Sequence, residues 1–247
     1  MLYWMLETGR SLHSGKKYYQ RYIFYMIQSK LLVSSVMKKI FMGLSGFFLI
    51  TFLVLHVSLN MMSVLSENSY NAISHFMGYN PIVQFIGQPI LAFGVFFHFI
   101  MGFVLELQNR RARPINYAYN NGAANSSWSS RNMIISGLVI LAYLGLHWYD
   151  LWFQELNYKF IVKKVPNSAR YYGELRDKFA NPLRVILYCC AFILLGFHLW
   201  HGFSSSMQSV GLSNKYSLAL SKFGKAFAVG VPSAFVFIAV FHYFSQL

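Results

Sequence analysis

Charge is what this sequence has least of. Only 11% of its 247 residues are Asp, Glu, Lys or Arg, and just seven are acids. A soluble domain carries about a quarter charged residues, so a soluble fold is excluded. Cysteine is as scarce: Cys189 and Cys190 are the only two, adjacent inside an apolar run, which excludes a disulfide framework. No C-x-x-C-H occurs, so covalent attachment of a c-type haem is excluded as well. No cleavable leader is expected, because residues 1–35 mix Lys16, Lys17, Arg21 and Lys30 with tyrosine and phenylalanine and show no small-residue cleavage site.

What the chain has instead is apolar sequence in blocks. Hydrophobic residues make up 56% of it, gathered into five runs at about 38–65, 82–108, 132–154, 183–208 and 226–245. Each is long enough for the roughly 20 residues that a helix needs to cross a bilayer. The expected fold is an all-α integral membrane protein, a five-transmembrane-helix bundle. Residues 36–247 form the membrane domain and 1–35 an N-terminal extension, in which Tyr18–Gln28 reads either as a basic aromatic surface helix or as solvated tail. The 19% aromatic content suits interfacial belts and packing around a flat cofactor.

Of the connections, 66–81 is short and polar and ends at Pro81, a good helix-start residue. Residues 109–131 are basic and rich in turn formers, 155–182 are the longest connection and mix both signs, and 209–225 carry only lysine. Fourteen of the 21 Lys and Arg fall in the N-terminal segment and the 109–131 and 209–225 loops, while Glu67, Asp150, Glu155, Glu174 and Asp177 fall on the other side. The positive-inside rule therefore predicts a cytoplasmic N-terminus and an external C-terminus. The basic charge is read as membrane topology, with no nucleic-acid partner.

An ionisable residue inside a span is costly and marks a functional site by default. His56, His98 and His147 lie in the first three spans, and His198 and His201 in the fourth. Each sits late in its helix. Because successive spans alternate in direction, His56 and His147 share an outer level, and His98 and His198 an inner one. Two levels of two imidazoles are what two stacked bis-histidine haems require. At 1.5 Å rise per residue the irons would stand on the order of 15 Å apart. The alternative for any single histidine is a hydrogen-bonded packing residue. Gly94 and Gly102 flank His98 at four residues, and Gly202 follows His198 by four, so a porphyrin could approach the backbone there, although small residues equally serve helix contact. His201 remains the alternative to His198. Glu106 and Asp150 are the only acids near the spans, both read as close to helix ends. His13, His75 and His242 are read as surface or interface, with His75 in an external loop.

Four segments, KKIFMGLSGFFLITFLVLHVSLN (38–60), YNAISHFMGYNPIVQFIGQPILAFGVFFHFIMG (70–102), GLHWYDLW (145–152) and FHLWHGFSSSMQSVGL (197–212), cover most of residues 38–212. They resemble the single-subunit dihaem cytochrome b of succinate:quinone oxidoreductases (succinate dehydrogenase and fumarate reductase), most strongly the form in Bacteroidetes-like bacteria. The resemblance implies four haem ligands, His56, His98, His147 and His198, and the F-H-x-x-x-G arrangement at Phe197–Gly202 favours His198 over His201. It implies two haem b groups, quinone (menaquinone in most dihaem members) near the outer haem, and residence in a bacterial inner membrane. It further implies a flavoprotein with FAD and an iron–sulfur protein docked on the cytoplasmic face, with a higher oligomer of the complex left open. Some dihaem fumarate reductases carry a glutamate two residues before the fourth ligand, where this chain has Gly196.

For the quinone site, a hydrogen-bonding group beside the outer level is needed. Candidates are Glu67, Asn71, His75 and Asp150, with solvated loop residues as the plain alternative. Arg110, Arg111, Arg113 and Arg131 mark the cytoplasmic boundary, where one could pair with a propionate. Two other readings stay open: a different haem b cytochrome, such as a b561-like shuttle, and a cofactor-free transporter or structural anchor.

Overall fold

The structure, a computed structural model, describes residues 34–111, 131–212 and 217–247. The Tyr18–Gln28 segment, His13 and Arg113 lie outside the described residues. Among the described residues the chain forms helices α1 (Ser35–Leu65), α2 (Glu67–Tyr79), α3 (Val83–Arg111), α4 (Met133–Ile161), α5 (Tyr171–Phe179), α6 (Pro182–Ser209) and α7 (Ser217–Phe244), and no strand. Five of them, α1, α3, α4, α6 and α7, are long and apolar enough to cross a membrane. The chain is an all-α, five-span, multi-pass bundle, as expected from its apolar runs.

The connections depart from expectation. Residues 66–81 are not a loop, because their polar residues cap a helix. Ser66 starts α2 by accepting the Ser69 N–H at 3.2 Å, and Glu67 adds an acid to the first turn. Asn80 ends α2 and turns the chain by accepting from Ile82 and Val83 N–H at 2.9 and 3.2 Å. His75 is therefore helical. Residues 155–182 are also largely helical. Two π turns, Trp148–Trp152 and Asn157–Ile161, carry α4 past residue 154. Asp150 thus lies well inside the span, only 1% exposed, and not near its end. Further on, Asn181 accepts from Leu183 and Arg184 N–H, with Pro182 in the first turn, and so begins α6.

Polar contacts gather α2, α5 and the end of α7 at one end of the bundle. Asn71 Oδ1 accepts the Tyr172 N–H at 2.8 Å, and Gln246 donates to the Arg176 carbonyl at 3.0 Å. At the opposite end the start of α1 meets the end of α6, where Gly43 faces the Ser206 carbonyl. The spans alternate accordingly. Four of them, α1, α3, α4 and α6, form a ring in which each packs on its sequence neighbours and α6 closes onto α1. The α3–α4 side is sparse, and α7 lies outside against α6 and α1.

Lipid tails are as apolar as these side chains, so close packing and interhelical hydrogen bonds hold the spans together. Phe179, Val185, Tyr188, Phe192, Phe235 and Ile238 make the largest core cluster, near the α2–α5 end. Leu199, Phe227 and Ala228 make a second one. The outward face of α3 shows Phe85, Phe93 and Leu107, which is the surface a bilayer covers.

Candidate cofactor-binding site

Neither α1 and α4 nor α3 and α6 pack closely on each other, because each pair stands across a diagonal of the four-helix ring. The histidines bridge both diagonals. His56 of α1 and His147 of α4 have ring centroids 5.7 Å apart and nearly perpendicular planes, 88°. His98 of α3 and His198 of α6 are 6.3 Å apart at 68°. A bond of about 2 Å from each imidazole nitrogen to a shared metal, with each ring centre roughly 1 Å beyond its nitrogen, puts two centroids about 6 Å apart. Among the described residues no group of three His, Cys, Asp or Glu could hold a metal ion. Two facing imidazoles without a third protein donor suit a metal that brings its own equatorial ligands, as a metalloporphyrin does.

The two levels differ in lining. His56 stacks on Phe52 at 5.1 Å and meets Phe235 at 5.7 Å, while His147 stacks on Tyr143 at 5.8 Å. No hydrogen-bond partner reaches the buried Nδ1 of His147. The other pair is set among small polar residues. Ser45 Oγ lies 3.0 Å from His98 Nδ1, and Ser136 Oγ lies 3.2 Å from His198 Nδ1. A Cβ on Gly46 would come within 3.8 Å of the His98 ring, and one on Gly137 within 3.6 Å of the His198 ring.

These contacts revise the role expected of the glycines. The Phe48 ring fills the space at Gly94, Met42 Cε faces Gly102 at 3.6 Å, and Met133 Cε faces Gly202 at 3.3 Å. Small residues there admit side chains of neighbouring helices, and the glycines against the histidine rings are Gly46 and Gly137. A pattern in the sequence marks them. Met42-x-x-Ser45-Gly46 is followed by His56 after nine residues, and Met133-x-x-Ser136-Gly137 by His147 after nine residues. Each of these helices is followed by a span carrying F-H-x-x-x-G, at Phe97–Gly102 and Phe197–Gly202. The same two motifs thus recur in the two halves of the four-helix ring, and each histidine pair takes one member from each half. Serine and histidine stand eleven positions apart on both α1 and α4, about three turns, so both stand on one helix face and the two levels are about 16 Å apart.

His201 is apart from the His98–His198 pair. It lines a surface groove of about 270 Å³ with Trp200, Ser204, Ser221 and Lys225, between α6 and α7. His242, expected at a surface or interface, is fully buried and bonded through Nε2 to Ser63 Oγ at 2.8 Å. The reason is that α7 turns this face inward against α1 and against Phe179, whose ring it parallels at 6.3 Å.

The four quinone-site candidates separate into two kinds. Asn71 is buried and committed to the Tyr172 backbone. Asp150 forms a buried ion pair with Arg184 and accepts the Tyr188 hydroxyl at 2.9 Å, in a π turn one step past His147. Both serve as structural ties. Glu67 is exposed. His75 stacks on Tyr79 at 4.6 Å, with a buried Nδ1 that has no hydrogen-bond partner. Close by, Glu155 joins Lys159 and Arg170, Arg170 also binds Glu174, and Lys159 bonds the Gly78 carbonyl. Burial, and after it the Glu155 carboxylate, raises the Tyr79 and Tyr171 phenols above their ordinary range. Arg110 is paired with Glu106 at 2.6 Å on the surface. A Cβ on Gly196 would sit 3.1 Å from the Ala228 carbonyl, so a glutamate at this position would require α7 to give by a few tenths of an ångström. Comparison of the chain with protein-family models, curated proteins and solved structures finds no match.

Proposed function

We propose that this chain is the membrane-anchoring, electron-transferring cytochrome b subunit of a succinate:quinone oxidoreductase, holding two haem b groups. The observation that carries the haem reading is the pair of diagonals: two facing histidine pairs on two levels, each without a third protein donor among the described residues. The assignment to succinate:quinone oxidoreductase rests on the resemblance of residues 38–212.

His56 with His147 would hold one haem and His98 with His198 the other. Bound haem b supplies reversible one-electron transfer. The chain's own residues hold the imidazoles across the bundle and keep water away from them with Phe52, Tyr143, Phe192 and Phe235 around the outer pair. The basic end of the bundle faces the cytoplasm of a bacterial inner membrane, where flavoprotein and iron–sulfur subunits dock. Quinone, menaquinone in most dihaem members, binds toward the opposite end, where Glu67 and His75 are the remaining candidates for its polar contacts.

The test is a haem-to-protein ratio with a redox titration of the purified complex. Two b-type components per chain and co-purifying flavin are expected. A chain without haem would refute the reading, and haem without flavin or iron–sulfur subunits would make it a shuttle cytochrome instead.

A further inference from the structure

Ser45 and Ser136 each have one hydroxyl proton, and each gives it to a carbonyl three residues earlier. Ser45 donates to Met42 at 2.8 Å and Ser136 to Met133 at 2.9 Å. A carbonyl only accepts, so a hydroxyl proton that points to it leaves the serine oxygen free to accept a second bond. The serine oxygen meets the histidine as an acceptor when its proton stays on that carbonyl, the arrangement in which Nδ1 of His98 and of His198 is the N–H donor. This leaves Nε2 of both rings with its lone pair free. The outer pair has no such fixation: among the described residues no serine reaches His56 or His147, and His147 Nδ1 is buried without a partner.

The same hydroxyl device gives the opposite result at His242. Ser63 donates to the Asn60 carbonyl at 2.7 Å and meets Nε2 of His242 at 2.8 Å. In the same arrangement it is Nε2, the nitrogen farther from the backbone, that carries the proton, and the histidine is a packing group. Which nitrogen the serine reaches therefore separates the paired histidines from the buried structural one.

We propose that Ser45 and Ser136 are positioning residues that set the tautomer of His98 and His198 and make the inner level electronically distinct from the outer. This rests on the bis-histidine haem reading. A ligand imidazole that donates its other N–H becomes a better electron donor to the metal, which stabilises the oxidised state. The two serines therefore lower the midpoint potential at the inner level alone. The recurring motif explains why both members of one pair carry the device: Ser-Gly lies at the same register on α1 and α4, with glycine giving the ring room beside the hydroxyl.

The test uses the purified wild-type complex and its S45A, S136A, S45T and S136T variants, read by optical redox titration and by the low-spin EPR signals of the two components. In S45A and in S136A the midpoint of the same single component rises and its EPR signal shifts, while the other component keeps its values. Threonine, which keeps the hydroxyl, restores the wild-type midpoint. If an alanine variant loses haem, the proposal requires that both variants lose the same component and that threonine retains it. Unchanged midpoints with both haems bound, equal shifts of both components, or different components affected by the two serines would each overturn the proposal while leaving the haem reading intact. A wild-type chain that binds no haem would overturn the haem reading itself.

Discussion

Ser63 and His242 form a buried hydrogen bond between α1 and α7, Oγ to Nε2 at 2.8 Å, with the two side chains 2% and 0% exposed. Ser63 also reaches the Asn60 carbonyl, and removing it strands the Nε2 of a buried imidazole in an apolar interior. Ser63→Ala is expected to cost about 1–3 kcal/mol, seen as a lower thermal midpoint in detergent. Ser63→Thr keeps the acceptor and most of the stability. An alanine variant as stable as wild type would show that the bond contributes nothing net.

The paired histidines make a different prediction. His98→Ala and His198→Ala each remove one of two facing imidazoles and should each abolish the same b-type component, leaving the other. His201→Ala, in the groove beside Lys225, should retain both. Haem content and the reduced-minus-oxidised spectrum decide between them. Loss of a component in the His201 variant with retention in the His198 variant would reverse the ligand assignment.

The spans, and the histidine levels within them, could be read from the chain because both follow from local periodicity. An apolar run fixes a helix, and alternation of direction then fixes relative depth. The positions where sequence and structure part depend on what an element packs against. His242 looks like the end of a span, but the surface it turns inward is set by Ser63 and Phe179, distant in sequence. Residues 66–81 look like a polar loop, since capping residues and loop residues have the same composition. Asp150 reads as a helix end because the π turns of α4 have no hydropathy signature. The Ser-Gly positions were legible in principle. Their repeat is visible only when α1 and α4 are set side by side, and serine inside an apolar span draws less notice than histidine.

Tyr70 on α2 lies outside the spans and is nearly enclosed. Burial, offset in part by a hydrogen bond with Ser74 and reinforced by Glu174, pushes its phenol from the ordinary 10.0 to about 12. A raised value means that the folded chain keeps the proton longer than the unfolded one. Stability is unaffected below pH 10 and falls as pH rises from about 10 to 12, by up to roughly 2 kcal/mol from this group. Tyr70→Phe should flatten the decline of the thermal midpoint between pH 9 and 11.5. Parallel wild-type and variant curves would place the alkaline limit elsewhere, for instance at Tyr79.

Asp150 and Arg184 tie α4 to α6 one step beyond His147, with the carboxylate wholly enclosed and the guanidinium 28% exposed. Removing one partner of a buried pair leaves an uncompensated charge, which costs about 3–5 kcal/mol, whereas replacing both by well-packed apolar residues is often neutral. Arg184→Leu should therefore destabilise strongly, because the stranded carboxylate is the more buried of the two. Asp150→Leu should cost less, since Arg184 can turn toward its exposed side, although Tyr188 also loses its acceptor. The double Leu variant should recover most of the loss, giving a large coupling in a double-mutant cycle of thermal midpoints. The same cycle separates a tie from a quinone contact. A tie moves stability and leaves quinol turnover per folded complex unchanged in Asp150→Asn, which keeps the shape and an acceptor for Tyr188. A quinone contact does the reverse: turnover falls while the midpoint holds, and that result would return Asp150 to the list of groups that touch quinone.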